Sequence, residues 1–233
     1  MKGPRRSAVL IALLPVALAG CRKNDFPEYP ADYREYAYVS NGGSNTVSVL
    51  DVVHTRLERE LAVGQNPVAV AASRTHNEVY VLNSGPASGA GSVTVIDSEQ
   101  NQVAATVGVG RQPVSIDVDA EGAFAYVANA GGNSVSVLDL KARRQVAVIG
   151  AGEEPGAARI SPDSRTLVVP NRKANSVTLI DGKTRTVRAV FQGCPGASDA
   201  VILPDSTKTF VTCSGGRQVM VLGLARTAQR SGP

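Results

Sequence analysis

The chain has 233 residues, 43% of them hydrophobic but only 4% aromatic, with no tryptophan, three cysteines, two histidines and a formal net charge of +4. So few aromatics leave no stacking platform for single-stranded nucleic acid, and the small net charge gives no broad electropositive face, so nucleic-acid binding is excluded. His54, His76 and three scattered cysteines form no metal-ligand spacing and no C-x-x-C-H haem site, so no metal or cofactor is expected.

At the N-terminus Lys2, Arg5 and Arg6 precede an apolar run, Ala8 to Ala17, that is short for a bilayer span, and Leu18-Ala19-Gly20-Cys21 follows. This order resembles the lipobox of bacterial lipoproteins, in which small residues admit a peptidase and Cys21 is the acylated thiol. Residues 1–20 then read as a signal peptide, whose removal lowers the formal net charge from +4 to +1. Residues 21–35, with Pro27 and Pro30 among charged side chains, read as a lipidated cysteine and a semi-extended tether. The expected location is the cell envelope, at the outer membrane or in the periplasm of a two-membrane host, with membrane contact through the lipid.

Beyond the tether one phrase recurs: Tyr38-Val39-Ser40-Asn41, Tyr80-Val81-Leu82-Asn83, Tyr126-Val127-Ala128-Asn129, Val168-Val169-Pro170-Asn171 and Phe210-Val211-Thr212-Cys213. Successive copies begin 42, 46, 42 and 42 residues apart. A period of about 40–45 residues built from short strands is the signature of β-propeller blades. Each unit reads as four strands; in the second they are Pro67–Ala71, Val79–Leu82, Ser92–Ile96 and Gln102–Val107. The third strand recurs as Thr46–Asp51, Ser92–Asp97, Ser134–Asp139 and Ser176–Asp181, while the fifth copy has Gly223 in place of the aspartate. Linkers repeat as Val63-Gly64-Gln65-Asn66-Pro67, Val109-Gly110-Arg111-Gln112-Pro113 and Ala151-Gly152-Glu153-Glu154-Pro155. Turns repeat as Ser161-Pro162-Asp163-Ser164 and Leu203-Pro204-Asp205-Ser206.

In combination these elements resemble the YVTN family of β-propeller repeats, from about Glu35 to Leu224. The resemblance implies an all-β fold of four-stranded antiparallel blades over residues 36–224, in a family whose members are usually seven-bladed. About four and a half to five blades are present: three strands, three full blades, three strands, then a polar tail at 225–233. A partial or truncated seven-bladed propeller is the leading reading. The alternatives are a five-bladed ring with imperfect terminal blades, or an arc that self-associates through its open valine-rich faces.

The asparagine and aspartate that recur in the first four blades read as turn-forming residues, because asparagine and aspartate bond local backbone and tolerate left-handed conformations. The linkers share one face with the turns between second and third strands. Gln65, Asn66, Arg111, Gln112, Glu153 and Glu154 there form the candidate binding face, with an insertion at Pro86 to Gly91. Glu153-Glu154 with Arg111 is the nearest approach to a hydrolytic or metal-assisted site, yet adjacent side chains diverge, so no catalytic residue is assigned. At the opposite end, Arg56, Arg59, Lys141, Arg143, Arg144, Lys183, Arg185 and Arg188 make either a cationic rim for anionic lipid or polymer, or a solvated face. Cys194 and Cys213 are expected at the same end of one blade, so a disulfide is the preferred reading for an exported protein and two free thiols the alternative. Lactonase-like hydrolases and redox proteins are among the propellers related to this family. With no G-x-S-x-G elbow and no histidine cluster, the expectation is a membrane-anchored, non-enzymatic scaffold that binds a protein or envelope polymer. A divergent lactonase-like hydrolase and a structural surface-layer-like element are the alternatives.

Overall fold

The computed structural model describes Pro30 and residues 33–224. The expectations for the signal peptide, Cys21, most of the tether and the tail lie outside the described residues. The chain divides into residues 1–33 and 34–233, and every sheet belongs to the second unit.

Five antiparallel sheets follow one another in chain order. The first holds β1 (Tyr36–Asn41), β2 (Thr46–Asp51) and β3 (Arg56–Ala62). The second holds β4 (Pro67–Ala72), β5 (Glu78–Asn83), β6 (Ala90–Asp97) and β7 (Gln102–Arg111). In the third are β8 (Pro113–Val118), β9 (Phe124–Asn129), β10 (Ser134–Asp139) and β11 (Arg144–Gly150). The fourth comprises β12 (Arg159–Ile160), β13 (Thr166–Asn171), β14 (Ser176–Asp181) and β15 (Val187–Gln192). The fifth comprises β16 (Ala197–Ile202), β17 (Lys208–Cys213) and β18 (Gln218–Gly223). Helix is confined, among the described residues, to a 3-10 turn at Ala130–Gly132. The innermost strands pack in the order β4, β8, β12, β16, with β1, a second strand by its place in the repeat, leading the row against β4, and the first and fifth sheets are not packed together as neighbours are. The fold is an arc of β-propeller blades with no closed sheet.

The apolar core lies in the seams between blades. Tyr80, Leu82, Val93 and Val95 of the second blade meet Ile116, Ala125, Val127 and Leu138 of the third, and similar clusters fill the other seams. Every residue of β13 and β14 is buried, because a blade covers each face of that sheet. The fifth sheet instead alternates. Thr209, Val211 and Cys213 are buried, while Phe210, Val219 and Val221 are 39%, 59% and 52% exposed. Their equivalents one period earlier, Val168, Val177 and Leu179, are at most 2% exposed.

The asparagine closing each second strand has a more specific task than turn formation. Its amide reaches across the hairpin to two hydroxyls on one face of the third strand: Asn83 Nδ2 donates to Ser92 Oγ at 3.1 Å and Thr94 Oγ1 at 2.9 Å. Asn129 donates likewise to Ser134 and Ser136, Asn171 to Ser176 and Thr178, and Asn41 to Thr46 and Ser48. The linker glycine nineteen residues upstream then lies flat on this amide. A Cβ added at Gly64, Gly110 or Gly152 would come within 2.6, 2.5 and 2.7 Å of Asn83, Asn129 and Asn171. Adding the 42-residue period to Gly152 and Asn171 gives Cys194 and Cys213, which form a disulfide with a Cα–Cα distance of 4.9 Å. The fifth blade thus replaces a glycine-on-amide contact with a covalent bond at the same two positions. The aspartates after the third strands cap turns: Asp97 Oδ1 accepts the Glu99 and Gln100 N–H groups, and Asp181 Oδ1 those of Lys183 and Thr184.

This packing makes a double-mutant cycle informative. Gly110→Ala should cost about 1–3 kcal/mol in urea denaturation, because the new methyl group meets the Asn129 amide. In an Asn129→Ala background, where the obstructing atoms are gone, the same change should cost much less. Additive losses would show that Asn129 is not the obstacle.

Candidate functional site

The linker residues of the candidate binding face are engaged in holding blades together. Asn66, Gln112 and Glu154 adopt left-handed backbone conformations, with φ of 53°, 45° and 55°. Their carbonyls accept the N–H groups of Ser84, Ala130 and Arg172. The Asn66 and Glu154 N–H groups donate to Asn45 and Asn133 Oδ1 at 2.8 and 3.0 Å. Glu153 and Glu154 turn to different cations, Lys173 and Arg172, each at 3.3 Å. Gln112 Nε2 donates to the Ala87 carbonyl, the Gln65 carbonyl accepts the Gly85 N–H, and Arg111 ends β7 opposite Ala90. These six residues do not gather into one site.

The cationic rim is also largely committed to neighbouring structure. Arg59 donates to the Asn101 carbonyl of the next blade, and Arg143 reaches back to Glu78 and the Ala104 carbonyl. Arg185 lies 4.7 Å from the Phe124 ring centroid, and Arg188 donates to the Leu224 carbonyl. Arg56 is held by Asp51 and Glu58.

A different cluster forms where the innermost strands converge, at the end of those strands remote from the linkers. Ala71, Asp117, Arg159 and Val201 occupy one register position, opposite Tyr80, Tyr126, Val168 and Phe210. Ala71 and Val201 are apolar, so among the described residues only the third and fourth blades place a charge at this register position. The Asp117 carboxylate accepts the Val118 N–H at Oδ1 and the Ile160 N–H at Oδ2, both at 3.0 Å. Ser115 Oγ, two residues earlier, accepts the Ala158 N–H at 3.0 Å. Side chains of β8 thus bond the backbone of the β12 segment across the seam, where the regular strand is only two residues long. Arg159 points on toward the fifth blade, where Nε and Nη2 donate to Asp199 Oδ1 and Oδ2 at 2.9 and 3.1 Å. A two-pronged bond of this kind fixes the guanidinium plane. Because both partners are partly exposed, its value is orientation more than stability.

Asp117 and Arg159 line one cavity of about 250 Å³, with Arg74 at its edge and Pro162, Val201 and Ile202 on its apolar side. Burial pushes the Asp117 pKa above that of an ordinary aspartate, against the opposing pull of the Ile160 N–H and the Arg159 charge. The Asp199 hydrogen bonds raise the already high pKa of Arg159, so it stays charged. A half-buried carboxylate of raised basicity beside a fixed guanidinium is the usual composition of an acid–base site. Two larger crevices lack it. In one, of about 450 Å³, Asp163 and Asp181 are occupied with capping their own turns. In the other, of about 570 Å³, the Tyr38 hydroxyl is committed to Asn101 at 2.5 Å.

A family model described as "Lactonase, 7-bladed beta-propeller" matches residues 37–149, a span that includes Asp117 and Ser115. Comparison with curated proteins finds no match. Among solved structures, the chain is similar to Kuenenia stuttgartiensis hydrazine synthase, at 28% identity and a TM-score of 0.68 over 76% of this chain and 51% of that one. It also resembles in fold a functionally unknown protein from Desulfotomaculum acetoxidans DSM 771, at 18% identity and a TM-score of 0.61 over 77% of this chain and 61% of that one. The chain therefore spans between about half and three-fifths of the length of these two proteins.

The lactonase-family match overturns the expectation of a non-enzymatic scaffold. That expectation rested on the absence of reactive residues close together in sequence, such as a useful Glu153-Glu154 pair. Asp117 and Arg159, 42 residues apart in neighbouring blades, meet at the cavity, and Asp199, 40 residues further on in the fifth blade, reaches Arg159. The readable signal was a pair of charges at an otherwise apolar position of a repeating strand.

Replacing Ser115 by alanine would leave the fully buried Ala158 N–H without its acceptor. A loss of about 1–3 kcal/mol is expected in urea denaturation. A loss below about 0.5 kcal/mol would mean that water satisfies this group and that Ser115 does not join the blades.

Proposed function

We propose that this protein is a lactonase-like hydrolase acting at the convergence of its innermost strands. The observation that carries the reading is the meeting of Asp117 and Arg159 on one cavity, with Asp199 holding the Arg159 guanidinium from outside its lining. The lactonase-family match supports it. In the ring-opening of a cyclic ester, Asp117 takes a proton from water as the oxygen adds to the carbonyl carbon. Arg159 Nη1, which makes no hydrogen bond among the described residues, donates to the developing oxyanion. The ring C–O bond then breaks and Asp117 returns the proton to the leaving alkoxide, giving a hydroxy acid whose carboxylate faces the guanidinium. Asp199 touches no reacting atom and holds Arg159 in the required plane.

Purified protein should hydrolyse members of a panel of five- and six-membered lactones in a pH-stat assay. Asp117→Asn and Arg159→Met should each lower kcat/KM by about a hundredfold or more. Because the raised pKa means Asp117 binds its proton more readily than an ordinary aspartate, kcat/KM should fall on the acid side at a pH above the ordinary aspartate value. That limb should vanish in the residual activity of Asp117→Asn. Turnover unaffected by both substitutions would remove the site from this region.

We propose further that the repeats are of the YVTN type and that the enzyme is exported and carried on a lipid at Cys21. The order of charges, apolar run and small residues before that cysteine supports the export reading. Intact-mass measurement on protein extracted from membranes should then give a chain starting at an acylated Cys21; an unmodified Cys21 would remove the anchor.

A further inference from the structure

The fifth blade joins the stack differently from the others, and it also supplies Asp199. In the second, third and fourth blades, the linker glycine rests on the asparagine amide of the blade it leads into. In the fifth, Cys194 and Cys213 occupy those two positions and are bonded to each other. The bridge lies next to the site in the chain. Cys213 is paired across the sheet with Ala197, the first residue of β16, and the Ala197 N–H donates to the Cys194 carbonyl at 3.1 Å. Asp199 follows two residues later, inside the register irregularity between Ala197 and Ala200. Such an irregularity has few ladder bonds of its own, so the position of Asp199 depends on how the start of β16 is anchored. On the other side, the Ser198 carbonyl is packed so closely on Gly156 that an added Cβ would lie 2.5 Å from it. That contact sets the distance from Asp199 to Arg159, three residues beyond Gly156.

We propose that the Cys194–Cys213 bridge is the device that places Asp199 against Arg159, so that the site is complete only in the oxidised chain. The proposal rests on the hydrolase reading for its catalytic consequence, but not for its structural one. Reduction by a dithiol breaks the S–S bond, adds one electron and one proton to each sulfur, and leaves the reductant as its own disulfide. Two thiols cannot reproduce the lost contact, because a cysteine side chain stands where the other linkers have none. The start of β16 then loosens, Asp199 leaves Arg159, and the guanidinium loses its fixed plane. Both cysteines are fully buried. Reduction therefore proceeds through opening of the fifth blade, and the effect is greatest when the chain folds without an oxidant.

The test uses the full chain in four forms: oxidised, refolded in dithiothreitol, Cys194→Ser with Cys213→Ser, and Cys194→Gly with Cys213→Asn, Gln218→Ser and Met220→Thr. The last rebuilds the glycine–asparagine pair of the other blades, with the two third-strand hydroxyls that pin the amide, without a bridge. Hydrogen exchange is measured for segments 195–202 and 113–139, and kcat and KM for δ-valerolactone or whichever lactone of the panel is turned over. In the reduced and double-serine forms, segment 195–202 should exchange about tenfold faster or more while 113–139 is unchanged. In the same forms kcat should fall about tenfold or more with a smaller change in KM, as expected when a positioned group is misplaced. The glycine–asparagine form should resemble the oxidised protein in both readouts and be indifferent to dithiothreitol. Unchanged exchange in 195–202 after loss of the bridge would overturn the proposal. So would faster exchange with unaltered kcat, or a glycine–asparagine form no better than the double-serine one. If no lactone is hydrolysed by any form, the hydrolase reading fails by itself, and exchange at 195–202 still decides whether the bridge anchors the strand.

Discussion

The arrangement of blades depends on a glycine lying against an asparagine amide. At each such seam the linker approaches within a distance no side chain would permit, and the amide is pinned by two hydroxyls of its own hairpin. The two features need each other. An amide free to rotate would not offer a flat surface, and a linker held further out would begin the next innermost strand elsewhere. The left-handed backbones at Asn66, Gln112 and Glu154 follow from the same geometry, since the chain must turn sharply after the glycine to enter the next blade. Asparagine tolerates that conformation readily, whereas Gln112 and Glu154 adopt it at a cost of about 1–2 kcal/mol each, which the backbone hydrogen bonds their carbonyls accept across the seam offset.

Once the start of each innermost strand is set, residues along it are placed by rigid sheet rather than by loops. Sites built this way hold their geometry better than sites on mobile connections. In the third and fourth blades the side chains of β8 go further and bond the backbone of β12 directly, through Ser115 and Asp117. Asp117 therefore has two functions. It joins two blades, and it places a carboxylate in the cavity with one oxygen on each side of the seam. Arg159 extends the same pattern to the fifth blade through Asp199.

The architecture was legible because a period of about 42 residues leaves few alternatives, and the division into three, four, four, four and three strands could be read from where the phrases begin and stop. The asparagines were legible as structural, but their partners were not. Reading one residue at a time suggests a bond to turn backbone, whereas pairing Asn83 with Ser92 brings Thr94 to the same face two residues along. The site was hidden for a related reason. Sequence reading favours residues close together, and so drew attention to Glu153-Glu154, which separate to Lys173 and Arg172. Residues one blade apart become neighbours only when the repeats are aligned and stacked. Aligned in that way, Asp117 and Arg159 stand out against Ala71 and Val201, and Cys194 and Cys213 fall on the glycine and asparagine positions.

The aspartates of this fold show which force distinguishes a site from a scaffold. Asp205 accepts the backbone N–H of Thr207, and this bond holds its carboxyl below the usual range. Asp117 accepts two backbone N–H groups as well, and it also senses the positive charges of Arg159 and Arg74, yet its pKa moves upward. Hydrogen bonding therefore does not separate the two residues, because it acts in the same direction on both. Desolvation does. Asp205 sits in an exposed turn where water reaches the carboxylate, whereas Asp117 is half-buried between innermost strands, and there the loss of water outweighs the bonds and charges that favour ionisation. A carboxylate in that position holds its proton more tightly than its neighbours on the surface, and the same stacking that creates the core creates this basicity. The propeller's repetition supplies many equivalent turn carboxylates, and placing one on the inner strand instead is sufficient to give it different chemistry.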